Sequence, residues 1–438
     1  MRWHFEQQLD GGSARLRQGA LVGVDRFLVP EGHTGAARYF TGSLFVAHNL
    51  RERCGRWLAL RTPHAPPMIR LLQAASTAEP LSRSSAENSI ALVNTALEGM
   101  PAELRRQSPL SDPDRLSPVV RIGRDGSNRG RLMAFFFEHR GDRPVGVLKL
   151  RQQGGQSAPF ASERAALQSI ASLPDASMRS TAPRPLLHWQ LGTGEALLIS
   201  PVGGCSAYVE MQGLLVPRRR VEAHFRAAAV WLSRLHLITR VSGSCFDLAG
   251  APEVTAALRL CRDAGLETAW YDEFVQLLAE SPLPLAASHG DFWPGNLHLD
   301  KNQAGDTLPI LIDWEGFQEA APPNKDLFHF PLSYGLNYPW SRYRRRPAEQ
   351  AFRLTFIENT PVSRATSTYL RHYCITTGLD PRLLRPLLML FLLGTFSQGP
   401  TSGRRRCATK MASILAGQSG GWPFHDRRHG TMEEGDDR

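Results

Sequence analysis

From residue 118 onward, apolar runs alternate with polar breaks, and the runs have two different periods. Residues 118–122 (PVVRI), 132–138 (LMAFFFE) and 145–150 (VGVLKL) are short, rich in β-branched or aromatic side chains and bounded by Gly-rich or charged turns, which predicts three strands. A fourth apolar run, 196–202 (ALLISPV), ends at Gly203-Gly204. Residues 160–173 instead place Ala165, Ala166, Ile170 and Leu173 on one helical face. Helical spacing then dominates at 221–237, 254–264 and 271–278, and again from about 325 to 417. Two short strands are expected near 297–299 and 308–312.

Upstream the texture differs. Residues 1–110 mix short apolar runs such as DRFLVP with Arg- and Pro-rich pieces, and 76–88 fits either a surface loop or a helix with a polar face. The turn-rich QSPLSDPDRLSP, 107–118, marks a boundary. The expected organisation is an accessory N-terminal region at 1–110, a β-rich region at 111–200, a helical region at 201–417 and a polar, mobile tail at 418–438. No internal repeat is present.

Composition narrows the classes. With 42% hydrophobic and 21% charged residues the chain can bury a sizeable core. The net charge of +10 brings nucleic acid and anionic lipid into consideration. The basic residues are dispersed, however, and only four (Lys149, Lys301, Lys325 and Lys410) are lysines, the pattern of solvated surface charge. No nucleic-acid motif and no basic amphipathic helix stands out, so no specific nucleic-acid partner is expected. The six cysteines are far apart and form no CxxC pair, which argues against a zinc site and a disulfide framework. The start, MRWHFEQQLD, lacks the apolar core of a signal peptide. The most apolar stretch, 386–396, is about half of what a membrane span needs and reads as a buried helix. No transmembrane segment and a cytoplasmic location are expected; the oligomeric state is not readable.

The chemistry concentrates in 289–315. His289-Gly-Asp291-Phe-Trp-Pro-Gly-Asn296-Leu-His298 sets Asp291 and Asn296 five positions apart across Trp-Pro-Gly, which cannot continue a helix, so both belong to a shaped loop. Asp313, in Ile312-Asp313-Trp314-Glu315, follows an apolar run and should end a buried strand, where a carboxylate needs a cation or donors. Upstream, Lys149 lies in an alternating strand, and an inward lysine needs an anionic partner; Glu163 on the next helix is the obvious one. Trp231 and His236 read as packing residues, His298 as a loop brace, and Asp326 as a helix cap.

The strings HGDFWPGNLH and LIDWEG resemble the catalytic and metal-binding motifs of the aminoglycoside phosphotransferase and choline kinase superfamily. The resemblance covers roughly 118–400 in organisation and is specific over the quoted motifs. It implies an α+β, two-lobed protein-kinase-like fold, with a small β-rich lobe, a larger helical lobe and an extra N-terminal segment. It further implies Asp291 as catalytic base with His289 bracing its loop, and Asn296 and Asp313 as Mg²⁺ ligands. Lys149, paired with Glu163, would hold the nucleotide phosphates. Gly123 and Gly126 would lie in a loop over the phosphates, where small residues let backbone N–H groups approach. The adenine of ATP, or a GTP base, would meet backbone near Ser200 and Val202, although Pro201 between them supplies no N–H.

Members of that superfamily phosphorylate aminoglycosides, choline, sugars and amino-alcohols. Here the region after Asp313 is rich in arginine, including Arg353, Arg364, Arg371, Arg382 and Arg385, which disfavours a polycationic acceptor. A small hydroxylated substrate such as a sugar or glycan precursor is expected. The rival class is a noncatalytic kinase-like nucleotide-binding module that acts through a protein partner.

Overall fold

The strand at 144–152 alternates its side chains across two faces, and this alternation organises the first half of the molecule. The computed structural model describes residues 4–5, 20–24, 27–30, 32–44, 50–62, 67–68, 72, 83–112, 115–122, 131–152, 160–192, 194–211, 216–299, 309–339, 346–398 and 402–418. The phosphate-loop candidates Gly123 and Gly126 and the tail at 419–438 lie outside these residues. The chain divides into two compact units, Met1–Leu214 with Gly295–Glu315, and Leu215–Pro294 with Gly316–Arg438.

The first unit is built on an eight-stranded sheet. Its strands are β1 (His4–Phe5), β2 (Ala20–Val24), β3 (Phe27–Pro30), β4 (Leu116–Ile122), β5 (Arg131–Glu138), β6 (Pro144–Gln152), β7 (Pro185–Leu191) and β8 (Gly194–Ile199), in the order β1-β2-β3-β4-β5-β6-β8-β7. All pairings are antiparallel except β1 with β2. Leu132, Ala134 and Phe136 of β5, Leu148 and Leu150 of β6, and Ala196 and Leu198 of β8 share one face by the two-residue period, and all are buried. Ile90, Val93 and Ala96 of the helix Arg83–Glu98 join that cluster. Lys149, between Leu148 and Leu150, therefore points to the opposite face, with Leu197 and Met133 as its cross-strand neighbours.

The N-terminal region thus contributes to this unit and is no separate body. Strand β3 pairs with β4 through Phe27↔Arg121 and Leu28↔Val120, and the helix Arg83–Glu98 supplies one wall of the sheet's core. The unit is completed by a three-stranded sheet of β9 (Cys205–Ser206), β11 (Leu297–Leu299) and β12 (Ile310–Leu311), ordered β12-β11-β9. Strand β7, a half-buried PLLHWQL segment, had no clear period to announce it.

The second unit is mainly helical. The long helices Arg218–Ile238 and Pro361–Thr377 contribute Phe225 and Tyr369 to a ring cluster that also contains Phe330 and Tyr334 of the helix Asn324–Asn337. A short antiparallel pair, β10 (Ala286–Ser288) with β13 (Gln318–Ala321), leads into the 289–294 loop. The apolar 386–396 stretch falls in the helix Leu384–Leu390 and the wider π-helical turn Phe391–Thr395, both largely buried, and ends at the first residue of the 3-10 turn Phe396–Gln398. Among the described residues no helix is long and apolar enough to cross a membrane. The α+β class holds, with strand and helix concentrated in different units.

Candidate active site

In the β-rich unit, Lys149 lies between two carboxylates. Its Nζ is 2.6 Å from Glu163 Oε1 and 3.2 Å from Asp313 Oδ1. Glu163 comes from the first turn of the helix Phe160–Ala171. That helix is held in place by Glu195 of β8, whose Oε1 accepts the Phe160 N–H at 2.9 Å and also meets Arg151 at 2.6 Å. Burial opposes the Lys149 charge, but Asp313 and Glu163 outweigh it and hold the ammonium pKa above its usual value. The Glu163 carboxyl is raised, first by burial and then by Asp313 and Glu315, against the lowering effect of Lys149. Burial is the main reason for that direction, and the surplus of carboxylates around one cation adds to it.

Asp313 follows β12 and has φ 68°, the positive-φ residue among described non-glycine positions. Asp tolerates this region better than most side chains, and such a conformation persists when its surroundings fix it. Here the buried Trp314 fixes the turn by donating its Nε1–H to the Leu311 carbonyl at 2.9 Å. Asn296 precedes β11, which pairs with β12 through Leu297↔Leu311. The Ile312 N–H donates to the Asn296 carbonyl at 3.1 Å, so Asn296 and Asp313 stand at the same end of this strand pair. A carboxylate and an amide oxygen are hard donors of the type Mg²⁺ takes. Among the described residues there is no cluster of three His, Cys, Asp or Glu side chains with metal-site geometry. Mg²⁺ needs none, because it keeps several waters and shares its other positions with phosphates.

In the segment expected from the resemblance to meet the base, one residue is already engaged. The Ser200 N–H donates to the Arg184 carbonyl at 2.8 Å, and Ser200 Oγ accepts from the Arg184 N–H at 2.8 Å. Ser200 is therefore committed to the strand edge as a donor, and Pro201 has no N–H; Val202 is the next backbone donor.

In the helical unit, Asp291 lies on a loop fixed from below. Asp326 Oδ2 accepts from the His289 N–H at 2.6 Å and from Ser288 Oγ–H at 2.9 Å, while its Oδ1 accepts from the Gly290 N–H at 3.0 Å. Asp326 is fully buried, and its carboxylate ties this loop down; the sequence reading of Asp326 as a helix cap is corrected by these bonds. Local pattern suggested a cap because the residue sits in the first turn of Asn324–Asn337. Its partners lie some 37 positions upstream.

Gly290 has φ 80°, and a Cβ there would come within 1.9 Å of the Gly316 carbonyl, so only glycine fits between His289 and Asp291. His289 is fully buried and its Nδ1 accepts the Asp291 N–H at 3.3 Å. That leaves the ring proton on Nε2 and makes His289 a brace with no solvent-facing atom to offer a substrate. Phe292 stacks on Trp231 at 5.2 Å and 21°, the packing role expected for that tryptophan. His236 meets the Tyr373 hydroxyl at 2.6 Å, and burial pushes its pKa down to about 4. His298, read as a brace, is buried with no hydrogen-bond partner for Nδ1, and burial pushes it too down to about 4. His329, on the same helix as Asp326, was not singled out by the sequence; its Nδ1 lies 3.7 Å from Asp291 Oδ1.

Residues 133–327 match the model of the phosphotransferase enzyme family, APH. No curated protein sequence matches the chain. Among solved structures, an aminoglycoside-3'-phosphotransferase of type VIII is similar at 17% identity, over 68% of this chain and 97% of that one, with a TM-score of 0.37. A spectinomycin phosphotransferase in complex with ADP and its antibiotic is similar at 12% identity, over 68% and 92%, with a TM-score of 0.35. An aminoglycoside phosphotransferase from Streptomyces rimosus, in complex with ADP and streptomycin, is similar at 18% identity, over 59% and 88%, with a TM-score of 0.33. The family match spans Lys149, Glu163, His289, Asp291, Asn296, Asp313 and Asp326. Residues 133–327 are thus similar to the phosphotransferase enzyme family over a stretch that includes each of these side chains.

Proposed function

We propose that this chain transfers the γ-phosphoryl group of ATP to a hydroxyl of a small neutral or anionic molecule, such as a sugar or glycan precursor. The observation that carries the reading is Lys149 held between Glu163 at 2.6 Å and Asp313 at 3.2 Å, in a chain whose Asp291 loop is fixed by a separate buried carboxylate. A buried ammonium aligned by two carboxylates is ready to meet phosphate oxygens. Asp291 orients the acceptor hydroxyl and takes its proton as the new O–P bond forms and the bond from phosphorus to the departing ADP oxygen breaks. Asn296 and Asp313 would hold Mg²⁺, which when bound offsets the negative charge on the phosphates. With Ser200 N–H committed elsewhere and Pro201 lacking one, Val202 N–H and the Ser200 carbonyl are the backbone groups for the base.

The acceptor class follows from charge. Arg353, Arg364, Arg371 and Arg382 are exposed, so they act through the summed field of the surface, which disfavours polycations. The test is turnover of ATP and GTP, with Mg²⁺ and with chelator, over a panel of sugars, sugar phosphates, aminoglycosides and amino-alcohols. Turnover of neutral or anionic hydroxyl compounds is expected; turnover of the cations alone overturns the acceptor class. ATP hydrolysis unaffected by Asp291→Ala would replace catalysis by the rival, a nucleotide-binding module serving a protein partner.

A further inference from the structure

The helix Asn324–Asn337 presents two side chains, three positions apart and so on one face, to the loop that carries Asp291. Asp326 ties down the loop backbone at His289 and Gly290. His329 reaches the side chain itself, with Nδ1 3.7 Å from Asp291 Oδ1. Its ring packs beside Phe391, centroids 6.4 Å apart and tilted by 39°, so it has a defined seat. The Asp291 side chain is 43% exposed and that of His329 25%, whereas Asp326, His289 and Phe391 around them are buried.

We propose that His329 is a positioning residue for Asp291: its Nδ1–H holds one carboxylate oxygen and thereby fixes the orientation in which the carboxylate receives the acceptor's proton. This rests on the reading of Asp291 as the proton acceptor. A separation of 3.7 Å exceeds a formed hydrogen bond, but catalytic hydrogen bonds are commonly long without substrate and shorten in the complex. The groups around His329 decide its charge. Burial lowers its pKa; Asp326 opposes this, while Lys325 of the same helix, Arg404 of the helix Ser402–Ala416 and His289 of the loop reinforce it. A neutral ring at neutral pH has one N–H to give and leaves the Asp291 charge intact.

The sign of the effect follows. A donor to a carboxylate favours the ionised form, so removing it raises the Asp291 pKa. His329→Ala should move the acid limb of the kcat profile upward by about one pH unit and lower kcat roughly tenfold, with the ATP KM unchanged. His329→Asn, whose amide N–H can take the place of Nδ1–H, should restore both. A purely structural role would not move a pH limb.

The measurement that does not depend on turnover is a carbonyl-carbon NMR titration of aspartate-labelled full-length protein, with the Asp291 signal assigned by its absence in Asp291→Asn. The carboxyl should titrate about one unit lower in wild type and His329→Asn than in His329→Ala. Identical Asp291 titrations in wild type and His329→Ala, or an asparagine variant no better than the alanine one, overturn the proposal. If the wild-type protein neither transfers nor hydrolyses, the phosphotransferase reading fails, while the titration still decides whether His329 and Asp291 are coupled.

Discussion

The Lys149 clamp and the Asp291 loop both hold a charged group in place, but by different physics. In the clamp, charge is balanced by charge: a buried ammonium meets two side-chain carboxylates. Around the loop, a buried carboxylate, Asp326, is satisfied by two backbone N–H groups and a hydroxyl. Buried ion pairs are replaceable in principle by apolar pairs of similar shape, because the desolvation cost disappears with the charges. Backbone donors cannot be mutated away, so a carboxylate that satisfies them has no apolar substitute. The loop should therefore be the less tolerant region.

The largest expected effect is on chemistry. Asp291→Ala should lower kcat by about 10²-fold or more while nucleotide affinity, measured by calorimetry, is retained. Lys149→Met should show the converse, with weakened nucleotide binding before any loss in the chemical step. If both variants lose only kcat, the division of labour between the two regions fails.

Stability sharpens the same contrast. Asp326→Leu strands the His289 and Gly290 N–H groups and should cost about 4 kcal/mol in urea denaturation, with no second substitution in the loop able to recover it. Lys149→Met alone should cost about 3 kcal/mol, and Lys149→Met with Glu163→Leu should recover most of that loss. A pair that stays as unstable as the single variant would show that the clamp, too, depends on more than mutual charge. Gly290→Ala, forced against the Gly316 carbonyl at positive φ, should cost about 2 kcal/mol or more.

Acid gives the most gradual effect, with opposite signs at His236 of the helical unit and Glu163 of the β-rich unit. The His236 pKa is depressed to about 4 in the fold, so between the unfolded value near 6.5 and 4 the unfolded state binds more protons. Stability should fall as pH drops through that window, by up to about 3 kcal/mol from this group. Glu163 has the opposite sign: its pKa is raised in the fold, so its contribution grows as pH falls through the raised value. Lys149, raised as well, keeps its contribution below the usual lysine range and loses it only at strongly alkaline pH. His236→Gln should flatten the acid slope of urea midpoints; an unchanged slope would assign it to other groups.

Legibility followed sequence distance. The strand and helix periods at 132–150 and 160–171 are local, and they set Lys149 and Glu163 on neighbouring elements of one unit. The strings around Asp291 and Asp313 were legible as a shaped loop from their Pro and Gly spacing, and the chemistry expected of them came from the family resemblance. Asp326 misled for the same reason, since an acid in a first helical turn looks like a cap whether or not its partners are distant. His329 gave no signal, because a single histidine among Phe328 and Phe330 has the pattern of core packing.

By itself, the sequence indicated the strands β4, β5 and β6 and the helix Phe160–Ala171, resembled phosphotransferase motifs at 289–315, and required an anionic partner for Lys149. The first and last of these depend on local periodicity and on the cost of burying charge, the second on resemblance alone. Only the tertiary structure decided that β3 and the helix Arg83–Glu98 belong to the same sheet core as β5 and β6, that Asp326 holds the loop, that Ser200 is spent on Arg184, and that His329 faces Asp291. These contacts join residues well separated in sequence, from 16 positions for Arg184 with Ser200 to 37 for His289 with Asp326 and further for β3 with β4. Hydrogen bonds and ion pairs act over a few ångströms in space, and a linear pattern does not record which distant groups the fold brings within that range.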